Sequence, residues 1–73
     1  MNIIKTKDTS RTGNDCYIHE SVVLAEQFGI FAVIVCTKVT GWSEDEDIRV
    51  DHTTNNYSSA IRYFNDFVAL RES

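Results

Sequence analysis

The sequence predicts a small α+β fold, a three- to four-stranded antiparallel β-meander with one C-terminal α-helix packed on one face. The first observation is the unbroken apolar run from Ile30 to Cys36, which is rich in β-branched and aromatic residues. Such a run is typical of a central strand that is covered on at least one face. The second is the segment from Tyr57 to Leu70, whose apolar residues recur at the spacings of three and four that mark one face of a helix. This helix is the only good cover that the sequence offers for the sheet.

The chain before the central strand predicts one or two further strands. Asn2 to Thr9 is interpreted as a short edge strand, since its lysines would discourage edge-to-edge pairing. Ser10 to Asp15 is dense in turn-forming residues. Cys16 to Leu24 then alternates as a half-buried strand does, except that Glu20 falls on the apolar face. We therefore expect a bulge or an edge position at Glu20.

Two interpretations compete for residues 21–28. As a strand, they continue the alternation, the hairpin turn lies at or near residues 25–27, and Gly29 marks a bulge where the next strand begins. As a helix, they would have Ser21 as the N-cap and Gly29 as the left-handed C-cap residue. The tyrosine, isoleucine and valines of this region favour the strand, because such side chains fit a pleated surface.

The chain after the central strand predicts an acidic loop, a further strand and the helix. The loop from Thr40 to Asp47 carries Trp42 and four consecutive acidic residues. Ile48 to Asp51 alternates cleanly and is interpreted as a strand that is half buried and half exposed. Thr53 to Asn56 is a cluster of capping residues placed directly before the helical stripe.

Length and composition limit the classes of protein that this chain can represent. Its 73 residues form one domain, residues 1–73, and a core this small often needs a partner subunit or a covalent staple. The formal net charge of −4 argues against direct binding of nucleic acid, which needs clustered basic residues. No window of about 18 apolar residues is present, so we expect no interaction with a membrane.

The cysteines and histidines give little sign of chemistry. The first residues show no signal peptide, and we expect a cytoplasmic protein with reduced thiols. Cys16 and Cys36 would face each other only in one hairpin register, so a disulfide between them stays open. Cys16 and His19 would point to opposite faces of a strand, and paired zinc-ligand spacings are absent. We therefore expect no enzyme activity, no metal and no cofactor.

A helix on one face leaves the other face of the central strand uncovered, and an uncovered apolar patch generally marks an interaction surface. We expect that uncovered face to carry Phe31, Val33 and Val35. The acidic loop is expected to add an anionic patch that pairs with a basic partner. The predicted interaction residues are Phe31, Val33, Val35, Trp42, Glu44, Asp45, Glu46, Asp47 and Asp51.

A resemblance is carried by the stretch that begins at Phe28-Gly29-Ile30, continues through the central strand to Asp47-Ile48-Arg49-Val50-Asp51, and ends with the helical segment from Thr53 to Leu70. Through this stretch the chain resembles small Gram-positive bacterial and phage proteins of unknown function that run strand, strand, strand, helix. In architecture and acidity only, it also resembles small anti-CRISPR inhibitors that mimic DNA to block a Cas nuclease. The second resemblance implies that carboxylates would occupy a basic nucleic-acid site on a target. No functional residue transfers from either family.

These observations predict a small non-enzymatic protein-interaction module whose partner is another protein or a second copy of the chain. In one version it is a phage or mobile-element inhibitor of a nucleic-acid-handling protein, acting through the acidic residues. Two alternatives stay open. One is a structural accessory protein that forms homo-oligomers, and the other is a thiol-based redox or metal-binding protein that uses Cys16 and His19.

Overall fold

The computed structural model describes residues 1–41 and 44–72, which form an antiparallel sheet and one C-terminal helix. The α+β class and the helix on one face are therefore confirmed, while the strands number five in the described residues. The elements are β1 (Asn2–Asp8), β2 (Arg11–Gly13), β3 (Cys16–Gln27), β4 (Ile30–Thr40), β5 (Asp45–Thr54) and α1 (Tyr57–Glu72).

The strands follow one another across the sheet as a meander. The spatial order is β1-β3-β4-β5, and β2 also pairs with β3. Lys5 lies opposite Leu24 and Gly13 lies opposite Cys16, so β1 and β2 keep one register along β3 and together form one edge of the sheet. The segment from Ser10 to Asp15, interpreted as a turn, thus contributes a short strand before its chain reversal. This edge accounts for the fifth strand.

The β3–β4 hairpin resolves the competing interpretations of residues 21–28. β3 runs to Gln27, so the strand interpretation is confirmed. Gln27 lies opposite Ile30, and the connection is the two-residue turn Phe28-Gly29. Both turn residues have positive φ, +54° and +79°, as a type I′ turn requires. The bulge expected at Gly29 is wrong, because this glycine belongs to the turn itself.

Two other local expectations are corrected by the strand pairing. β3 passes Glu20 without a bulge, in continuous register with β4. The neighbouring edge is interrupted there instead, at Thr9 and Ser10 between β1 and β2, without a change of register. The acidic residues from Asp45 to Asp47 were expected in a loop, but they begin β5 and lie opposite the end of β4. Backbone pairing with β4 therefore extends the strand into this charged segment.

The core lies between the helix and the face of the sheet that carries Val22 and Leu24. These residues lie opposite Val35 and Val33 across the hairpin, and all four side chains are at most 1% exposed. The helix closes the core with two fully buried side chains, Ala60 and Phe64.

This packing contradicts the expectation that Phe31, Val33 and Val35 lie on the uncovered face. Val33 and Val35 are buried, and Phe31 is half-buried with its ring 5.5 Å from that of Tyr57. The two faces of β4 were assigned to the right residues, but the helix covers the face that was expected to be free. The reason is that this face joins the large apolar side chains of β3 and β4 into one continuous patch.

The helix begins as its capping residues predict and crosses the sheet diagonally. The side-chain oxygen of Asn56 accepts a hydrogen bond from the backbone N–H of Ser59 at 3.0 Å, which makes Asn56 the N-cap. At the other end, the carboxylate of Glu72 pairs with Lys7 on β1 at 3.4 Å. Because the helix passes from β5 towards β1, it leaves the first half of β5, Asp45 to Val50, exposed.

We predict that Phe64→Ala lowers the free energy of unfolding by about 3–5 kcal/mol, the usual cost of emptying a buried phenylalanine site. A domain of this size rarely has more than about 3–5 kcal/mol in total, so the variant should be largely unfolded in water. Circular dichroism during urea titration measures this. A variant that unfolds at the wild-type urea concentration would contradict the core described here.

We predict the opposite sign for Phe28→Asn. Phe28 is 92% exposed, so its removal costs little burial, and asparagine tolerates positive φ better than a bulky side chain does. We expect a gain of about 1 kcal/mol in the same urea titration. This variant is also the matched control for Phe64→Ala, because both remove a phenylalanine. A loss of stability would show that the ring of Phe28 contributes packing.

Candidate protein-interaction surface

The face of the sheet opposite the helix is called the open face. On it lie the odd-numbered residues of β3, from Tyr17 to Gln27, and the even-numbered residues of β4, from Ile30 to Thr40, because side chains alternate along a strand. Ile3 of β1 and Ile48 and Val50 of β5 lie on the same face. No helix covers this face within residues 1–41 and 44–72.

One end of the open face is a groove that we call the apolar groove. Two alanines form its floor. Ala25 and Ala32 lie opposite each other, and their small side chains leave a depression of about 350 Å³. Larger apolar side chains form its walls. They are Met1, Phe28, Ile30, Ile34 and Val50. Because Ile30 and Val50 are 46% and 58% exposed, a groove with apolar walls faces solvent at this end.

The other end of the open face is a polar groove. Ser21 lies opposite Cys36, and this second pair of small side chains leaves a depression of about 400 Å³. Asp8, His19, Lys38 and Glu46 are among its lining residues. Between the two grooves Val23 lies opposite Ile34, forming a ridge across the open face.

The carboxylate of Asp8 illustrates how the polar groove is ordered. The backbone N–H of Ser10 donates a hydrogen bond of 2.8 Å to Asp8 Oδ1, and this contact with Ser10 lowers the pKa of the carboxyl below its ordinary value. His19, which also lines the groove, stacks edge-on against Tyr17 with ring centroids 4.3 Å apart. Both side chains are thus already engaged by neighbours in the fold.

The structure does not bring together the residues of the thiol or metal alternative. Cys16 is an even-numbered residue of β3 and His19 an odd-numbered one, so they lie on opposite faces. Cys36 lies opposite Ser21, and both cysteines are free. In the described part of the chain, no group of three or more histidine, cysteine, aspartate or glutamate side chains is placed to hold a metal ion.

The predicted acidic patch is divided between two faces of the sheet. Asp45 and Asp47 lie on the helix side of β5, whereas Glu46 lies on the open face. Asp51 accepts a hydrogen bond of 2.5 Å from the hydroxyl of Tyr63, and this bond raises the pKa of the phenol. Glu44 is exposed before β5 begins, and Trp42 lies outside the described residues.

Sequence reasoning missed an ionic cluster centred on Glu20. This side chain lies on the helix side of β3 and is only 4% exposed. Its Oε1 accepts hydrogen bonds from the Thr9 hydroxyl at 2.8 Å and from Arg11 at 3.2 Å, and it pairs with Arg71 at 3.0 Å. The cluster therefore ties the sheet edge and the end of the helix to β3. The unexplained acidic residue on an apolar face was the signal for it.

The groups around Glu20 determine its protonation. Burial alone would raise the pKa of the carboxyl, but the Thr9 hydrogen bond and the positive charges of Arg71 and Arg11 outweigh burial and hold the pKa below its ordinary value. The charged carboxylate is thus the form that the native fold favours.

The exposed apolar residues of the open face were not among the interaction residues predicted from the sequence. They are Phe28, Ile30, Ile48 and Val50. The turn Phe28-Gly29 was the signal that could have identified them, because a two-residue turn fixes which β4 residues share a face with Val22 and Leu24.

Comparison with protein-family models, with curated proteins and with solved structures finds no match for this chain. The resemblances to small phage proteins and to anti-CRISPR inhibitors therefore stay predictions. Within the described residues, no helix has both the length and the apolar character needed to cross a bilayer.

We predict that Glu20→Gln lowers the free energy of unfolding by about 1.5–3 kcal/mol near pH 7, where charge-assisted hydrogen bonds to Glu20 are lost. Because the folded pKa is depressed, the stabilisation by Glu20 is fully present above its unfolded pKa of about 4.5 and disappears as pH falls through the folded pKa. Wild type and variant should therefore converge in acid. Urea titrations at several pH values between about 7 and 3 measure the difference.

The matched control is Glu46→Gln, which removes an exposed carboxylate from β5. It should change the free energy of unfolding by less than about 0.5 kcal/mol at any of these pH values. A constant gap between wild type and Glu20→Gln across the whole pH range would contradict the assigned role of the Glu20 charge.

Proposed function

We propose that this protein is a non-enzymatic interaction module that docks a partner protein through the apolar groove of the open face. The observation that carries the proposal is Phe28, the most exposed large apolar side chain in the described residues. It stands beside the groove with 92% of its surface exposed and φ at +54°. Exposure and backbone conformation both disfavour phenylalanine at this position.

A residue that is unfavourable for the fold indicates a role outside the fold. Asparagine, aspartate and glycine are the usual residues in this part of a type I′ turn, and a bulky side chain with positive φ costs of order 1–3 kcal/mol. Large aromatic side chains are also enriched among the residues that dominate binding energy. Phe28 therefore fits the role of an anchor that a partner buries.

The groove indicates the chemistry of the partner. Its floor and most of its walls are apolar, with Glu26 and Gln27 as the polar residues of its lining. The complementary surface is therefore a mainly apolar protrusion of another protein, which the alanine floor can admit. The charged side chains of the open face lie at its other end, around the polar groove, where Lys38 is directly opposite Glu46. Among the described residues of the open face, Lys38 lies near the carboxylates of Asp8 and Glu46, so this face suits a protein better than a phosphate backbone.

The apolar groove supports docking better than the acidic residues do. A DNA-mimicking surface needs carboxylates spaced along one face, whereas those of β5 alternate between two faces and Asp51 is bound by Tyr63 and Arg49. The open face, by contrast, brings its apolar residues together from four strands.

We predict that Phe28→Asn and Ile30→Lys each weaken partner binding at least about 10-fold, as expected for anchor residues of a docking site. Wild type and variants are immobilised and exposed to an extract of the cells that make the protein, and retained proteins are quantified by mass spectrometry. Any protein that depends on both residues is then purified and its affinity measured by calorimetry.

The matched control is Ala69→Lys, which adds the same charge on the exposed side of the helix and should retain the partner like wild type. Phe28→Asn carries its own control, because it is expected to fold at least as stably as wild type. Retention of the same proteins in equal amounts by wild type, Phe28→Asn and Ile30→Lys would contradict the docking site.

A further inference from the structure

The first half of β5 is exposed in three directions. Asp45 to Val50 are six consecutive exposed residues of one strand. On the helix side of the sheet, the helix does not cover these six residues. On the opposite side they belong to the open face. No strand of the described chain pairs with the outer edge of β5. An outer edge presents a row of unpaired backbone N–H and C=O groups, which is a template for another strand.

The opposite edge of the sheet is protected against such pairing. β1 carries an irregularity in register between Ile3 and Lys5. Its two lysines reach back over the sheet, Lys5 to Asn65 at 3.4 Å and Lys7 to Glu72 at 3.4 Å. Bulges and lysines are the features by which natural sheets block their edges. β5 has a register shift only near Asp51, beyond the exposed half.

We propose that a second copy of this chain pairs with the exposed half of β5, antiparallel and edge to edge, with Ile48 on the two-fold axis. In this register Asp47 of each copy lies opposite Arg49 of the other, and Arg49, which contacts Asp51 at 3.5 Å in the single chain, can pair with Asp47 across the junction. Pairing ends at Glu46 and Val50, because the next pair would place Asp45 opposite Asp51, where β5 has its register shift. Within the paired segment the central charges are complementary to those of an identical strand, which identifies a second copy as the occupant of the edge.

The neighbouring registers are unfavourable for the same reason. Side chains of residues that lie directly opposite each other point to the same face of the sheet. The two-fold axis therefore passes between one residue of β5 and the same residue of the other copy, so that both open faces lie on the same side. Centring on Asp47 places two aspartates opposite each other, and centring on Arg49 places two arginines opposite each other. Like charges in that position destabilise a strand pair. In the favoured register Ile48, which is 73% exposed in the single chain, lies opposite Ile48 of the other copy.

This pairing is independent of the docking site proposed above. It continues the sheet from one copy into the next and keeps both open faces on the same side, because the two-fold axis is perpendicular to the sheet. The two apolar grooves then lie at opposite ends of the joined sheet, since Val50 of each copy is opposite Glu46 of the other, and both grooves stay open to partners. The paired segment is short, so we expect an interface below about 1,200 Å² and a dimer with a dissociation constant in the micromolar range.

A charge-reversal series measured by sedimentation equilibrium tests the ion pairs. At concentrations up to about 1 mM, wild type should approach twice the chain mass of 8.3 kDa. Asp47→Arg and Arg49→Asp should each weaken association at least about 10-fold, and the double variant, which exchanges the two charges, should restore it. Circular dichroism confirms that each variant is folded.

The register is tested separately with single cysteines in a chain that carries Cys16→Ser and Cys36→Ser. Ile48→Cys should form a disulfide-linked dimer with oxidised glutathione, because residues directly opposite in a strand pair lie about 4.5–5.5 Å apart between Cα atoms. Val50→Cys is the matched control on the same face. Its two copies would be separated by about 13 Å, which is too far for a disulfide.

A wild-type monomer at about 1 mM, equal linking of both cysteine variants, or a double charge variant that stays monomeric would each overturn the proposal. A ladder of larger species would also overturn it, since that indicates head-to-tail pairing of β5 with β1. A chain that is monomeric yet loses its partner on Phe28→Asn would overturn the edge pairing and leave the docking site intact.

Discussion

The register of the β3–β4 hairpin is the constraint on which the rest of this structure depends. The two-residue turn at Phe28-Gly29 places Val22 opposite Val35 and Leu24 opposite Val33, so the large apolar residues of both strands share one face. The helix then covers that face, because packing there buries the most apolar area. A shift of one residue would divide these side chains between the two faces and leave the helix without a continuous surface.

The same register explains how much of the fold could be predicted. The strand nature of the run from Ile30, the helix and its capping residues follow from local patterns in the sequence. The alternation of β4 also assigns its side chains correctly to two faces. Which face the helix covers depends on the neighbouring strand, and that follows only from the turn. The turn was expected at or near residues 25–27 and the register stayed open, so the sequence left undecided which face of β4 adjoins Val22 and Leu24, and Val33 and Val35 were expected on the wrong side.

One helix covers only part of a sheet of this width. The remaining region on the helix side is ionic, whereas part of the open face is apolar. Along the helix side, the Glu20 cluster stabilises the region where the helix ends, with Arg11 and Arg71 compensating a buried carboxylate. In the part of the chain that the structure describes, the open face has no such cover and keeps exposed apolar side chains, and the positive φ of Phe28 is a conformation that favours other residue types. The acidic residues could be found from the sequence, but their division between two faces could not, since β5 was predicted to start only after them.

The central claim is that the helix side of β4 is buried and its other side is open to solvent. Methyl NMR with a soluble gadolinium complex measures this directly, because the paramagnetic probe broadens only the methyl groups that it can approach. We expect strong broadening for Ile30 and Val50 and sharp resonances for Val33 and Val35. Protection of Ile30 together with broadening of Val33 and Val35 would contradict the packing and the docking surface derived from it.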